Sequence, residues 1–308
     1  MARRRRGRPV NGVLILEKPL NKSSSWALQV AKAIFQAQKA GHTGSLDPLA
    51  TGVLPVCFGE ATKFSQYLLD ADKSYRSTFT LGVKTASGDA EGEILRSQSA
   101  GHVSELQVLD ALAQFRGEIE QIPSMFSALK HQGQPLYKLA RKGIEVERKV
   151  RKVTLFKLEL EAFRAGEHPE VDLNIDCSKG TYVRSIAEDL GEALGCGAYV
   201  STLRRTAAGP FQEVQAVTLE ELQLLRDRAA FDELDALLKP VDRALAYLPS
   251  VKLDDVVADY IKQGQAVMIP KAPSDTAFKL YTESGKFLGI GEVNGDGLVK
   301  PKRLIATN

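Results

Sequence analysis

The segment Gly41-His-Thr-Gly-Ser-Leu-Asp-Pro-Leu-Ala-Thr-Gly52 constrains this chain more than any other. Three glycines, a proline and an aspartate within twelve residues rule out a regular helix or strand, so the segment reads as a shaped loop. Apolar Leu46, Leu49, Val53 and Leu54 pin it onto a core. Pro48 fixes its own φ and restricts the conformations of Asp47. An aspartate in such a loop ordinarily caps a turn with its own side chain. A carboxylate held this firmly, with glycines that let another backbone approach, suits a catalytic anion better. Two nucleotide readings fail here. No Gly-Lys-Ser/Thr follows Gly41 to Gly44, and no G-x-G-x-x-G opens a helix after a strand. A Ser-His-Asp set can be drawn from Ser45, His42 and Asp47, but nearness in sequence says little about triad geometry.

Around this loop the patterning predicts interleaved strands and helices. Gly12 to Leu16 reads as a short buried strand stopped by Lys18-Pro19. Ser25 offers an N-cap to a helix whose stripe is Trp26, Val30 and Ile34, widened by Ala27, Ala31 and Phe35, with Gly41 as its stop. On that spacing Trp26 is a core residue. Tyr75, Ser77, Phe79, Leu81 and Val83 alternate as a strand that ends in a turn region from Ser87 to Gly92. Val171, Leu173, Ile175 and Cys177 alternate likewise. That strand runs through Ser178 to Thr181 into a helix carrying Val183, Ile186, Leu190 and Leu194. The order lacks the steady βαβ period of a doubly wound sheet, so the fold class is α+β. Pro240 to Pro249 bounds a linker, and the glycine-punctuated stretch beyond it predicts a β-rich domain of about 60 residues.

The chain of 308 residues is long enough for a large core without disulfides or a structural metal. Cys57, Cys177 and Cys196 are scattered, as are the four histidines, so reduced buried thiols and no zinc site are expected. No apolar run approaches the roughly 18 residues of a membrane span, and no secretory signal is evident, so a cytoplasmic protein is expected. The net charge of +3 argues little, but its distribution argues more. Arg3, Arg4, Arg5, Arg6 and Arg8 form a basic arm. Lys138, Arg141, Lys142, Arg148, Lys149, Arg151 and Lys152 form a second block, and Lys300, Lys302 and Arg303 a third. Single blocks are often solvated faces, whereas three of them favour a phosphate-bearing partner.

Gly41 to Leu54 resembles the catalytic-loop signature of the bacterial tRNA pseudouridine-55 synthases. The likeness continues, in that family's order, through Lys18-Pro19, Gly59-Glu-Ala-Thr-Lys63, Ile122-Pro-Ser-Met-Phe-Ser-Ala-Leu-Lys130, Cys177-Ser-Lys-Gly-Thr-Tyr-Val-Arg184 and Leu203-Arg-Arg205. Asn21 stands where the family usually carries glycine, and asparagine tolerates a left-handed turn. The resemblance implies a mixed, largely antiparallel catalytic sheet flanked by helices, followed by a PUA-like domain. The boundaries expected are 1–9 for the arm, 10–245 for the catalytic domain and 250–308 for the RNA-binding domain. It further implies cleavage of the bond between ribose C1′ and uracil N1, rotation of the base, and rejoining through C5, without metal or cofactor. Asp47 is the implied essential carboxylate, acting as nucleophile at C1′ or as base at C2′. Arg184 is its counter-charge, able to grip it bidentately. Tyr75 stacks on the flipped base, His42 enters the RNA loop, and Tyr182 and Leu203 line the uridine pocket. Lys18 supports the loop or touches phosphate.

The partner implied is the T-arm stem-loop of tRNA, with the basic blocks on its phosphates and no obligate protein partner; a monomer is the default expectation. Gln132 to Arg151 has the glycines and charges of a flap that closes over RNA. A tRNA-binding folding factor with incidental catalysis is the alternative from another class. A hydrolytic N-glycosidase ranks last, because no second carboxylate is evident to manage water.

Overall fold

The apolar run of β1 (Gly12–Lys18) is long enough to bury both faces of a strand, and both are buried. Leu14 and Leu16 meet helix α1 (Ser24–Ile34), while Val13 and Ile15 enter a separate cluster on the other side. The computed structural model describes residues 7–306. After α1 the chain forms β2 (Ala40–His42), β3 (Ala50–Phe58), α2 (Ser65–Leu69), β4 (Lys73–Leu81), β5 (Val83–Thr85) and β6 (Ile94–Ser97). There follow α3 (Glu105–Ala113), β7 (Gly117–Gln121), β8 (Lys130–His131), β9 (Gln134–Pro135), α4 (Leu136–Ala140), β10 (Arg151–Arg164) and β11 (Glu170–Cys177). Then come α5 (Val183–Ala193), β12 (Ala198–Ala208), β13 (Phe211–Gln212), α6 (Leu219–Asp227) and α7 (Phe231–Ala236). The last elements are β14 (Ser250–Leu253), α8 (Asp255–Lys262), β15 (Phe278–Thr282), β16 (Phe287–Val293) and β17 (Val299–Leu304).

The main sheet runs β1-β3-β12-β4-β11-β10-β7, with β2 beside β3 and β13 beside β12. Within it β12 and β3 are parallel, and the other pairings are antiparallel. This is the mixed α+β architecture that the patterning predicts. Two apolar clusters form under the helices. One gathers α1, α6 and α7 over β1 and β3, and the other gathers α3 and α5 over β4, β11 and β12. The shaped loop bridges them: Leu46 packs into the second cluster, while Ser24 at the head of α1 bonds its backbone.

Several local expectations are corrected. Ser23, not Ser25, caps α1, its side chain accepting from the Trp26 N–H. The buried face of α1 is Ala27, Leu28, Ala31 and Ile34, so Trp26 points outward at 43% exposure beneath the Lys22 ammonium. Small residues on that face let the helix approach the sheet closely, which turns the bulky indole away. The helix stops at Gln36, whose φ is 51°, and Gly41 lies in β2. The ends of the Gly41 to Gly52 segment are thus strand, leaving the irregular loop between His42 and Ala50. The stretch from Pro240 to Pro249 is no free linker. Its 3-10 turn, Val241–Leu245, packs with Val13, Ile15, Phe64 and Ile290.

Beyond it, β14-β15-β16-β17 form a four-stranded sheet that encloses its own small core with α8. Of the basic arm, Arg3 to Arg6 lie outside the described residues. Arg8 is ion-paired with Asp235 at 2.5 Å and covers the Phe231 ring, so it is a packing residue here.

Candidate active site

Asp47 is held from both sides by backbone bonds to its neighbours. The Leu46 N–H donates to Ser24 Oγ at 2.7 Å, and that hydroxyl donates back to the Leu46 carbonyl at 3.1 Å. On the other side the Pro48 carbonyl accepts from the Asn21 N–H at 2.9 Å and from Lys18 Nζ at 3.3 Å. Asn21 sits at φ 60°, the left-handed turn that glycine would otherwise supply. Lys18 is fully buried, and its ammonium also donates to the carbonyls of Pro19 (2.7 Å) and Lys22. It supports the loop and cannot reach an external phosphate. Burial pushes its ammonium down to about 8, against the opposing pull of Asp47.

Across from the loop, Arg184 stands in the first turn of α5, with its side chain 5% exposed. One of its nitrogens lies 3.0 Å from an Asp47 carboxylate oxygen. Its hydrogen bonds go to the carbonyls of Ser87 (2.9 Å) and Phe126 (3.0 Å), and a second carboxylate, Asp89, lies 3.6 Å away. The bidentate grip on Asp47 is therefore not what is seen; two carbonyls and two carboxylates share the guanidinium. Asp89, 3% exposed, is a site residue that the sequence reading does not single out, since the Ser87 to Gly92 turn reads as a plain connection. Two acids inside a glycine-bracketed turn, Gly88-Asp-Ala-Glu-Gly92, were the available signal. Asp89 also answers the objection that no second carboxylate exists. However, it is enclosed and bonded to Ser87 Oγ and the Glu91 N–H, so it steadies Arg184 and does not face water.

Asp47 keeps an open edge, with 39% of its side chain exposed. Its enclosure raises its pKa above the ordinary carboxylate range, Arg184 opposes that, Asp89 adds to it, and Lys18 opposes. Tyr75, on β4, is half-buried against the cluster that includes Leu46 and Leu203. Burial pushes its phenol up, with Arg205 pulling it back. Leu203 is 8% exposed and pairs with Ala50 at the foot of the loop. Tyr182 caps α5 with its backbone: its N–H donates to Gln121 Oε1 (3.0 Å), and its carbonyl accepts from Gln121 Nε2 (3.3 Å). Gln121, 3% exposed, is a second residue that sequence reasoning missed. His42 ends β2 with Nδ1 enclosed and unbonded among the described residues, and burial followed by Arg205 lowers its pKa.

The basic blocks are partly self-neutralised. Arg148 pairs with Glu145, Lys152 with Glu118, and Lys300 and Lys302 with Glu292, while Lys138, Arg141, Lys142 and Lys149 stand exposed. Surface pairs of this kind are worth little and exchange readily for phosphate. No described helix is long and apolar enough to cross a membrane.

A carboxylate with one open edge, fixed against a buried guanidinium, can attack a sugar carbon or abstract its neighbour's proton. The fold has solved counterparts. A chain in the structure of an H/ACA RNP bound to a substrate RNA containing 2′-deoxyuridine superposes with a TM-score of 0.72 at 23% identity, covering 100% of this chain and 92% of that one. Residues 32–183 match the model described as TruB family pseudouridylate synthase, N-terminal domain. Residues 184–246 match the tRNA pseudouridylate synthase B C-terminal domain, and 249–305 the pseudouridine synthase II TruB C-terminal model. Fold and site together define a pseudouridine synthase. The tRNA pseudouridine synthase B of Saccharophagus degradans is 51% identical over 308 residues, covering 99% of this chain and 98% of the relative. That of Ectopseudomonas mendocina is 52% identical over 300 residues, covering 97% of each. The chain belongs to the TruB family of pseudouridylate synthases.

Proposed function

We propose that this protein isomerises the uridine at position 55 in the T loop of tRNA, with Asp47 as the essential carboxylate. The observation that carries it is the Asp47–Arg184 pair at 3.0 Å, its carboxylate open on one edge, with Tyr75 packed on the cluster that holds the neighbouring Leu46, in a chain whose relatives are named tRNA pseudouridine synthases. The target base must leave the RNA stack, at a cost of a few kcal/mol. Tyr75 receives its face, Tyr182 and Leu203 line the pocket, and His42 fills the space it vacates. Whether as nucleophile at C1′ or as base at C2′, Asp47 acts ionised, and Arg184 steadies that anion. The glycosidic electron pair leaves with the base on N1, the base turns, and C5 bonds to C1′ as the Asp47 ester breaks or the C2′ proton is returned; the C5 proton then leaves to solvent and N1 takes one up.

Residues 10–245 form the catalytic part in this proposal and 250–308 a PUA-like RNA-binding part, acting as a monomer in the cytoplasm on the T-arm. The test is tritium release from a T-arm transcript labelled at uracil C5. Stoichiometric release by wild type and none by Asp47→Asn, with RNA binding retained, is the expected result. Tight binding without release by wild type would overturn the enzymatic proposal and favour a folding factor.

A further inference from the structure

Arg205, the last residue of the Leu203-Arg-Arg205 motif, has no role in the site as described so far. It is 1% exposed and the bulkiest of the fully buried side chains. Its neighbour Arg204 lies on the opposite face of β12 and pairs with Glu17 and Glu213 at 2.7 Å each. Arg205 has no such partner among the described residues. A buried cation without a counter-ion is costly, so its retention asks for a reason.

Its bonds supply one. Nε donates to the Val53 carbonyl at 2.7 Å and Nη2 to the Gly44 carbonyl at 3.4 Å, one on each flank of Asp47. In the sheet Arg205 lies opposite Gly52 on β3 and opposite Tyr75 on β4. Gly52 sits at φ 97°, and a Cβ there would fall 2.2 Å from the Arg205 carbonyl oxygen. Gly44, at φ 87°, leaves room beside the guanidinium, where a Cβ would lie 3.7 Å from Nη1. The absence of a side chain at Gly52 thus lets β3 close on the Arg205 backbone, while Gly44 lies in ordinary contact with its guanidinium.

We propose that Arg205 is a positioning residue for the isomerisation, its buried guanidinium tying both flanks of the Asp47 loop to the Tyr75 strand. The assignment rests on the isomerase function proposed above. Two observations fit it. The guanidinium acts on the Tyr75 phenol, opposing the effect of burial there, and it adds to burial in lowering the His42 pKa. A charge placed so bears on the residue that stacks the base and on the one that fills its place.

The test compares wild type, Arg205→Met and Arg205→Lys by single-turnover tritium release from the C5-labelled T-arm RNA. RNA affinity and the NMR titration of the assigned His42 imidazole are measured alongside. For Arg205→Met the rate falls about a hundredfold, as for a misplaced catalytic group. Its affinity changes less than about threefold, so the loss lies in the chemical step. Its His42 midpoint moves upward. For Arg205→Lys the charge remains and the His42 midpoint stays, but an ammonium cannot span both carbonyls, so the rate still falls about tenfold. If Arg205→Met does not fold, the lysine variant decides alone. A folded lysine variant with the wild-type rate, or a loss confined to affinity, would overturn the assignment. So would a methionine variant whose His42 titration is unmoved. No release from wild type would overturn the isomerase proposal itself, a different failure from undiminished release by the variants.

Discussion

Replacing Lys18 with methionine keeps the length of a fully buried side chain and removes its donors. Nζ holds the carbonyls of Pro19 at 2.7 Å, of Lys22, and of Pro48 at 3.3 Å. An enclosed carbonyl left without a donor costs about 1–3 kcal/mol, and two of the three bonds are short, so the direct loss is about 2–5 kcal/mol. Relief of a desolvated cation offsets part of it, leaving a net loss of about 2–3 kcal/mol. At about 2–4 °C per kcal/mol for a domain this size, the melting temperature drops by about 4–12 °C. Pro48 follows Asp47 directly, so a loop slackened by about 1 Å lowers the single-turnover rate about a hundredfold. Circular-dichroism melting and tritium release measure the two effects. A pH series separates cause from consequence. Burial sets the Lys18 ammonium at about 8, below its unfolded value of 10.5. Above pH 8 the folded state therefore binds fewer protons than the unfolded one, so this group adds stability as the pH rises toward 10.5. The same deprotonation removes one of three donors from the loop, so wild-type activity falls there while the contribution to stability rises. Lys18→Met lacks that alkaline limb. A variant that melts with wild type and turns over at its rate would refute the loop-support role.

The acid side belongs to Asp47. Its pKa is raised by burial in the free protein, so the rate falls as the pH drops through a value above the ordinary carboxylate range, measurable in kcat/KM. An acid limb at or below that range would contradict the enclosure seen here. Gln121→Leu removes both bonds to the Tyr182 backbone, lowering stability by about 1–3 kcal/mol in urea unfolding. It also slows turnover through the looser start of α5, and unchanged unfolding and rate would show that the pairing carries nothing. The segment from Gln132 to Arg151, which carries β9, α4 and exposed basic residues, exchanges its amide hydrogens more slowly when T-arm RNA is bound. Exchange that RNA leaves unaltered would remove its role as a flap.

The parts of the site written locally in the sequence were legible. The Asp47 loop, the Lys18-Pro19 stop, the Tyr75 strand and the Thr181-Tyr-Val-Arg184 helix start each carry their signal within a few residues. The residues that were missed act across the chain. Asp89 meets Arg184 from a different element, Gln121 meets Tyr182 at a separation of 61, and Arg205 meets Val53 at 152. Nothing near Gln121 or Asp89 in sequence announces those partners. Trp26 failed for another reason. The widened stripe contained the truly buried Ala27, Ala31 and Ile34, but it centred one position too early, and periodicity alone does not say which edge of so wide a stripe faces the sheet.

The second carboxylate accounts for the open edge on which the proposed role of Asp47 depends. An arginine with a single acid would close on it bidentately, satisfying both oxygens and quenching the anion. Here the guanidinium is already oriented by the Ser87 and Phe126 carbonyls and shared with Asp89, which is enclosed and bonded to Ser87 Oγ and the Glu91 N–H. What remains for Asp47 is one close contact at 3.0 Å, enough to fix its position and too little to cover it. Burial and Asp89 raise its pKa, while Arg184 and Lys18 oppose them. The anion is held under tension between like and unlike charges, with an edge left open. A carboxylate in that state gains more by bonding to carbon, or by taking a proton from it, than one whose charge a salt bridge has already satisfied.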